Sequence, residues 1–232
     1  MLELRDVRLA LGRFRARFDL AVAAGEWLAV IGPSGAGKST LLNLVGGFVR
    51  PDAGLVLIAG RDITGLAPAA RPVTTLFQEH NLFAHLSVAD NVGLGIDPGL
   101  RLGPAERARL IEALASVGME SRADAMPGGL SGGERQRAAL ARALVRERPI
   151  LLLDEPLGQL DPALRRGMLE LIAGLARARG LTILMVLHTP GEAAGFVDRY
   201  AFIEAGRVAA GMTGEDFAAG RVPDAVARYL GR

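Results

Sequence analysis

Short apolar runs recur along the chain, most of them apolar at successive rather than alternate positions, and stretches of helical periodicity separate them. The runs Glu26–Ile31, Leu55–Ala59, Val73–Phe77, Ile150–Leu153, Leu181–Leu187 and Tyr200–Glu204 predict strands. A strand that is apolar on both faces must be covered on both, as in a parallel sheet with helices above and below. Ser39–Gly46, Glu106–Val117, Glu134–Arg146, Pro162–Arg179 and Glu192–Val197 predict helices. This alternation argues for a three-layer α/β fold with ligands at the carboxyl ends of the strands. From about His85 to Arg148 the rhythm breaks into helical patterns and Gly/Pro turns without a strand, and this stretch reads as a helical insertion. The expectation is a single domain: a core of about 1–84 and 149–232, an insertion of about 85–148, and no extra C-terminal regulatory domain.

Composition narrows the class. Hydrophobic residues make up 50% of the 232 positions and the formal net charge is +2, which excludes a disordered chain. No stretch approaches the ~18–20 consecutive apolar residues of a membrane span. Met1–Asp6 is charged and alternating, unlike a signal peptide. With no cysteine, disulfides, thiolate metal sites and a cysteine nucleophile are excluded, and a cytosolic location is expected. Of 27 basic residues only Lys38 is a lysine. The arginines are interleaved with acids and form no run that would track a phosphate backbone, so nucleic acid is not an expected partner.

The lone lysine lies in Gly32-Pro33-Ser34-Gly35-Ala36-Gly37-Lys38-Ser39-Thr40, between an apolar strand and an apolar helix. This is a phosphate-binding loop in the strand, loop, helix context that the motif requires. Its glycines let successive N–H groups converge on phosphate oxygens, and the following helix adds its positive end. Lys38 supplies a compact cation to the β and γ phosphates, and the Ser39 hydroxyl is a Mg²⁺ ligand. A branched, planar guanidinium would collide in so tight a cradle, which gives a reason for the one lysine to stand here. Mg-nucleoside triphosphate binding is the first expectation.

Three further strand ends carry chemistry. Ile150–Leu153 runs into Asp154 and Glu155, an acid for the Mg²⁺ shell and a general base for the attacking water. Leu181–Leu187 runs into His188, whose imidazole could donate to the γ phosphate or position the water. Val73–Phe77 runs into Gln78, whose amide is suited to sense Mg²⁺ or water. Lastly, Leu130-Ser131-Gly132-Gly133-Glu134-Arg135-Gln136-Arg137 opens an Ala/Arg/Leu-rich helix. A serine and two glycines at a helix start favour an anion. The chain already has its own phosphate loop, so a second site of this kind suggests one ATP shared between two subunits.

Together these segments, with Leu160-Asp161, resemble the ATPase subunit of ATP-binding cassette (ABC) transporters, a P-loop NTPase type, over essentially the whole chain. The resemblance implies a mostly parallel core sheet, an antiparallel N-terminal β part and an inserted helical subdomain. It implies that two copies pair head to tail, with Ser131, Gly132 and Gly133 of one closing over the γ phosphate held by Lys38 of the other, and Asp161 at the seam. ATP and Mg²⁺ would be bound, with Gln78 and Asp154 joining Ser39 around the metal. The partner would be an integral-membrane permease docking on the helical insertion beside Phe77–Val88, with a periplasmic substrate-binding protein as an indirect partner. Such a subunit would lie peripherally on the cytoplasmic face of the inner membrane.

The chain departs from the family pattern at three places: Glu134 where glutamine is usual, Gly158-Gln159 before Leu160-Asp161, and no clear aromatic for adenine, with Leu11 and Phe14 as the candidates. Within the family, Leu41–Leu44, Gly47-Phe48, Phe77–Leu86, Asn91–Gly95 and Asp97–Leu100 are similar to the ATP-binding subunits of bacterial thiamine importers. Uptake of thiamine or its phosphates is the resulting expectation, with iron, polyamine or molybdate import as the alternative. A soluble cassette ATPase of DNA repair or translation would carry two cassettes or coiled-coil arms, and a phosphate-loop kinase would lack Leu130–Glu134.

Overall fold

The structure, a computed structural model, describes residues 1–77, 82–158 and 160–231. Strands β1 (Leu2–Leu11) and β2 (Phe14–Val22) form a hairpin, and β3 (Trp27–Ile31) leads through the phosphate loop into α1 (Lys38–Gly46). Strands β4 (Ala53–Ile58), β5 (Arg61–Asp62) and β6 (Val73–Leu76) follow. Helices α2 (Val88–Gly93), α3 (Pro104–Ser116) and α4 (Gly132–Leu144) then precede β7 (Ile150–Asp154), α5 (Pro162–Arg179) and β8 (Thr182–Val186). The chain ends with β9 (Arg199–Glu204), β10 (Arg207–Thr213), α6 (Gly214–Ala218) and α7 (Asp224–Tyr229).

Among the described residues the strands join in one sheet, in the order β5-β4-β1-β2-β10-β9-β3-β8-β7-β6. The run from β9 to β6 is parallel, and β5, β4, β1 and β2 pair antiparallel. The period of two along each central strand divides the interior into two cores. Trp27, Ala29 and Ile31 of β3, Leu151 and Leu153 of β7, and Ile183 and Met185 of β8 face Leu140 and Leu144 of α4 and Met168, Leu169 and Ile172 of α5. Leu28, Val30, Leu152, Leu184 and Val186 face Leu41, Leu42, Leu44 and Val45 of α1 and the buried side of β1, β2 and β4. The central strands are covered on both faces, as their unbroken apolar runs require.

Helix α1 is fixed at both ends. Its last carbonyls, which have no intrahelical donor, are met by Arg71, which is 1% exposed. The Arg71 guanidinium donates to the carbonyls of Leu44 at 2.6 Å and Val45 at 2.9 Å, and to those of Thr64 and Leu66. A buried cation at the negative end of the helix satisfies both its hydrogen bonds and its dipole.

The structure corrects part of the sequence reading. Strands β1, β2, β5 and β10 are absent from the predicted runs. Glu192–Val197 is not an α-helix. Pro190–Ala193 forms a single 3-10 turn, and Ala194 leaves helical geometry at φ −59°, ψ 131°. The segment is drawn onto β3 instead, where the Trp27 amide donates to the Asp198 carboxylate at 2.8 Å and the Asp198 amide donates to the Trp27 carbonyl at 2.9 Å. Pairing with the sheet overrides the helical composition. No described helix is long and apolar enough to cross a membrane.

Candidate functional site

The phosphate loop is shaped by contacts that leave no room for a side chain. Gly32 has φ +147°, and a Cβ there would stand 2.1 Å from the Ile203 carbonyl oxygen of β9. Gly37 caps α1 at φ +109°, and a Cβ there would meet the Phe14 ring at 2.8 Å. Only glycine is accommodated at either position. Inside the curl, Lys38 is 8% exposed, and its ammonium donates to the carbonyls of Gly32 at 2.8 Å and Pro33 at 2.9 Å. Burial pushes the Lys38 ammonium below its usual pKa, and the charges of Glu155 and Asp154 oppose that shift.

Strand β7 brings its acids to the same place. The Ser39 hydroxyl donates to Asp154 Oδ1 at 3.3 Å, across 115 residues of sequence. Burial raises the Asp154 carboxyl pKa, the Ser39 hydrogen bond and Lys38 lower it, and Glu155 adds to the rise. Glu155 turns sharply out of the strand at φ +47°, an uncommon backbone state for glutamate, with its amide donating to the Val186 carbonyl of β8 at 3.2 Å. Leu11, Phe14, Ser34, Gly35, Gly37, Lys38, Ser39, Thr40 and Glu155 line an open cleft of about 450 Å³. Both adenine candidates, Leu11 and Phe14, thus stand at its wall. The Ser39 hydroxyl and the Asp154 carboxylate converge as two oxygen donors suited to a hard divalent cation, and Asp154 is a half-buried carboxylate whose charge a cation would compensate.

On the far side of Glu155 lies a small hollow of about 80 Å³, lined also by Gly158, Arg165, His188 and Glu192. Glu155 and His188 therefore share a boundary. Arg165 ties this hollow together by donating to the Leu160 carbonyl and pairing with Glu192. Gln78 lies outside the described residues.

Ser131, Gly132, Gly133 and Asp161 do not line the cleft. Ser131 and Asp161 are exposed, at the starts of α4 and α5. A Cβ on Gly133 would lie 3.5 Å from the Leu164 side chain, which brings the two helix starts side by side. Ser131 and Glu134 form a reciprocal capping box: the Glu134 amide donates to Ser131 Oγ at 3.2 Å, and the Ser131 amide donates to Glu134 Oε2 at 2.8 Å.

Two residues beyond the sequence reading belong to this region. Gln136 is 1% exposed and donates to the Pro156 carbonyl, which ties α4 to the turn after Glu155. A glutamine on the apolar stripe of α4 was the available signal. Arg122 pairs with Glu134, and nothing in the sequence distinguishes it from the other arginines.

The family model described as ABC transporter matches residues 16–158. The thiamine import ATP-binding protein ThiQ of Chelativorans sp. (strain BNC1) is 54% identical over 93% of this chain and 87% of its own length. ThiQ of Brucella suis biovar 1 is 47% identical over 99% of this chain and 95% of its own. Among solved structures, the dimeric post-hydrolysis state of the ATP-binding cassette MJ0796 bound to ADP and Pi is 30% identical, with a TM-score of 0.79 over 92% of this chain and 98% of that one. The ADP conformation of the cassette MJ1267 shares the fold, with a TM-score of 0.90 at 24% identity over 100% of this chain and 99% of that one. The chain belongs to the ABC transporter family, as one of its ATPase subunits.

Proposed function

We propose that two copies of this chain bind and hydrolyse MgATP between them to drive a membrane permease that imports thiamine or its phosphates. The carrying observation is the Ser39–Asp154 contact at 3.3 Å, which joins the phosphate loop to the acidic strand end with Glu155 in the same cleft. Gly32–Gly37, Lys38, Ser39 and Thr40 wrap the phosphates, and Lys38 exchanges its two carbonyl acceptors for phosphate oxygens. Ser39, Asp154 and Gln78 are the residues that would hold Mg²⁺. When bound, Mg²⁺ neutralises charge on the phosphates and fixes their orientation. Glu155 accepts the proton of the attacking water, and His188, across the shared hollow, donates to the γ phosphate or holds that water. The cleft of one copy has no lining from α4, so Ser131, Gly132 and Gly133 come from the second copy, with Asp161 at the seam.

The permease is assigned to a groove of about 310 Å³ whose apolar lining, Leu76, Phe77, Phe83, Leu94, Ala139 and Ala143, is shared with Thr74, Thr75, Arg142 and Arg146. Phe48, Phe77 and Phe83 beside it are 49%, 36% and 48% exposed, an unusual cluster of uncovered aromatics. The chain then lies on the cytoplasmic face of the inner membrane, where a periplasmic binding protein delivers substrate to the other side of the permease. Thiamine rests on the ThiQ relatives, since the transported solute does not enter this subunit.

Glu155→Gln tests the catalytic assignment. It should retain ATP binding, trap an ATP-bound dimer on size exclusion, and lower turnover by at least about 10². Turnover close to that of the wild type would refute Glu155 as the base.

A further inference from the structure

We infer that Arg122 is a positioning residue for the second half of the ATP site: it cancels the charge that Glu134 brings to the helix start and so lets that helix start accept a phosphate. Arg122 stands in a 3-10 turn (Glu120–Arg122) ahead of α4, and its Nε donates to Glu134 Oε1 at 2.9 Å. The other carboxylate oxygen of Glu134 accepts from the Ser131 amide, so both oxygens are engaged. These contacts hold the Glu134 carboxyl below its ordinary pKa, with the Ser131 hydrogen bonds as the main cause and Arg122 adding to them. Glu134 is therefore a carboxylate at neutral pH.

Its position is the third residue of the helix, beside Gly132 and Gly133, whose amides α4 leaves without intrahelical acceptors. A carboxylate there is favourable for an isolated helix, because it faces the positive end of the dipole. The same charge opposes an incoming phosphate, since two anions would then share one helix start. A glutamine can make the same capping box without the charge. In this chain the carboxylate is retained and a guanidinium is laid against its outer oxygen. The pair is close to neutral, and the capping geometry that fixes Ser131 is kept.

The inference rests on the proposed shared site, and a four-protein cycle separates the two. Wild type, Arg122→Ala, Glu134→Gln and the double variant are compared in steady-state ATPase assays, with ATP-dependent dimerisation measured for each in the Glu155→Gln background. Binding of a fluorescent ATP analogue to the monomer and the thermal midpoint serve as controls. Arg122→Ala should raise the ATP concentration for half-maximal hydrolysis about fivefold, the effect of one exposed charge pair. It should leave kcat and monomer binding near wild type and weaken the dimer to match. In the Glu134→Gln background the same substitution should change these values less than about 1.5-fold, because no charge remains to be cancelled. An equal penalty in both backgrounds, or none in either, overturns the inference. An equal penalty with an equal fall in thermal midpoint would assign Arg122 to the stability of the turn instead. Absence of any ATP-driven dimer when Arg122 and Glu134 are both intact refutes the shared site itself, before the variants are compared.

Discussion

Asp154 illustrates how a single residue is placed against its own preference. Its carboxyl pKa is raised by burial and by Glu155, so the folded protein holds the ionised form at a cost. For an acid whose pKa is raised on folding, that cost appears as pH rises above the unfolded value and is absent below it. Asp154→Asn should therefore raise the thermal midpoint of the nucleotide-free protein at pH 7, on the order of 2–4 °C, and the gain should vanish in melts near pH 3.5. Hydrolysis should fall in the same variant, the trade expected where a functional group is held at the expense of stability. The phosphate loop, Asp154 and Glu155 were legible in the sequence because each stands in a motif with its own chemistry, whereas Leu11 and Phe14 of the same cleft stand in none. The phosphate loop and the acidic strand end require each other, which is how a contact across 115 residues could be expected. Arg122 was not legible, because its meaning comes only from what it touches, and the place of Gln136 on the apolar stripe of α4 signals its burial but not its partner Pro156.

At the scale of elements, the same distinction separates the central strands from the outer ones. Strands β3, β7 and β8 carry the unbroken apolar runs Trp27–Ile31, Ile150–Leu153 and Ile183–Val186 and announce themselves. In β1 the buried set is Leu2 and Leu4, then Val7 and Leu9, because the register slips between Leu4 and Val7 where Asp6 takes φ +46°. A bulge of this kind breaks the alternation that marks a strand. In β2 the alternation is intact, but its outward positions include Arg15, Arg17 and Asp19, so the segment reads as polar. The helix assigned to Glu192–Val197 failed because the pull of β3 on Asp198 is invisible to local composition. Helix α1 depends on a residue equally remote in sequence. Arg71→Leu would leave the buried carbonyls of Leu44 and Val45 without donors, and should lower stability by about 3 kcal/mol in urea unfolding. A variant within 1 kcal/mol of wild type would show that the helix end is satisfied in some other way.

Across the whole molecule, the nucleotide cleft lies at the carboxyl ends of the parallel strands, and the aromatic cluster sits beside β6 and the carboxyl half of α4. The two regions are joined through α4, which lines the groove with Ala139 and Ala143 and reaches Pro156 through Gln136. Phe83→Asp should abolish co-purification with the permease while the isolated subunit keeps its ATPase rate within about twofold, and retention of the permease would move the docking surface elsewhere. Arginine–carboxylate pairs recur on the surface of the molecule, such as Arg8–Asp6, Arg199–Glu26 and Arg221–Asp216. Lysine has been left in one place only. The sequence therefore carries a single side-chain amine, that of Lys38 in the phosphate loop. Reagents that acylate or reductively alkylate amines, which label most proteins at many lysines, have one lysine to find in this sequence, and it is buried at 8% exposure with its ammonium donating to the Gly32 and Pro33 carbonyls. Amine labelling is thereby a footprint of the phosphate loop itself, since Lys38 should react only when the loop opens.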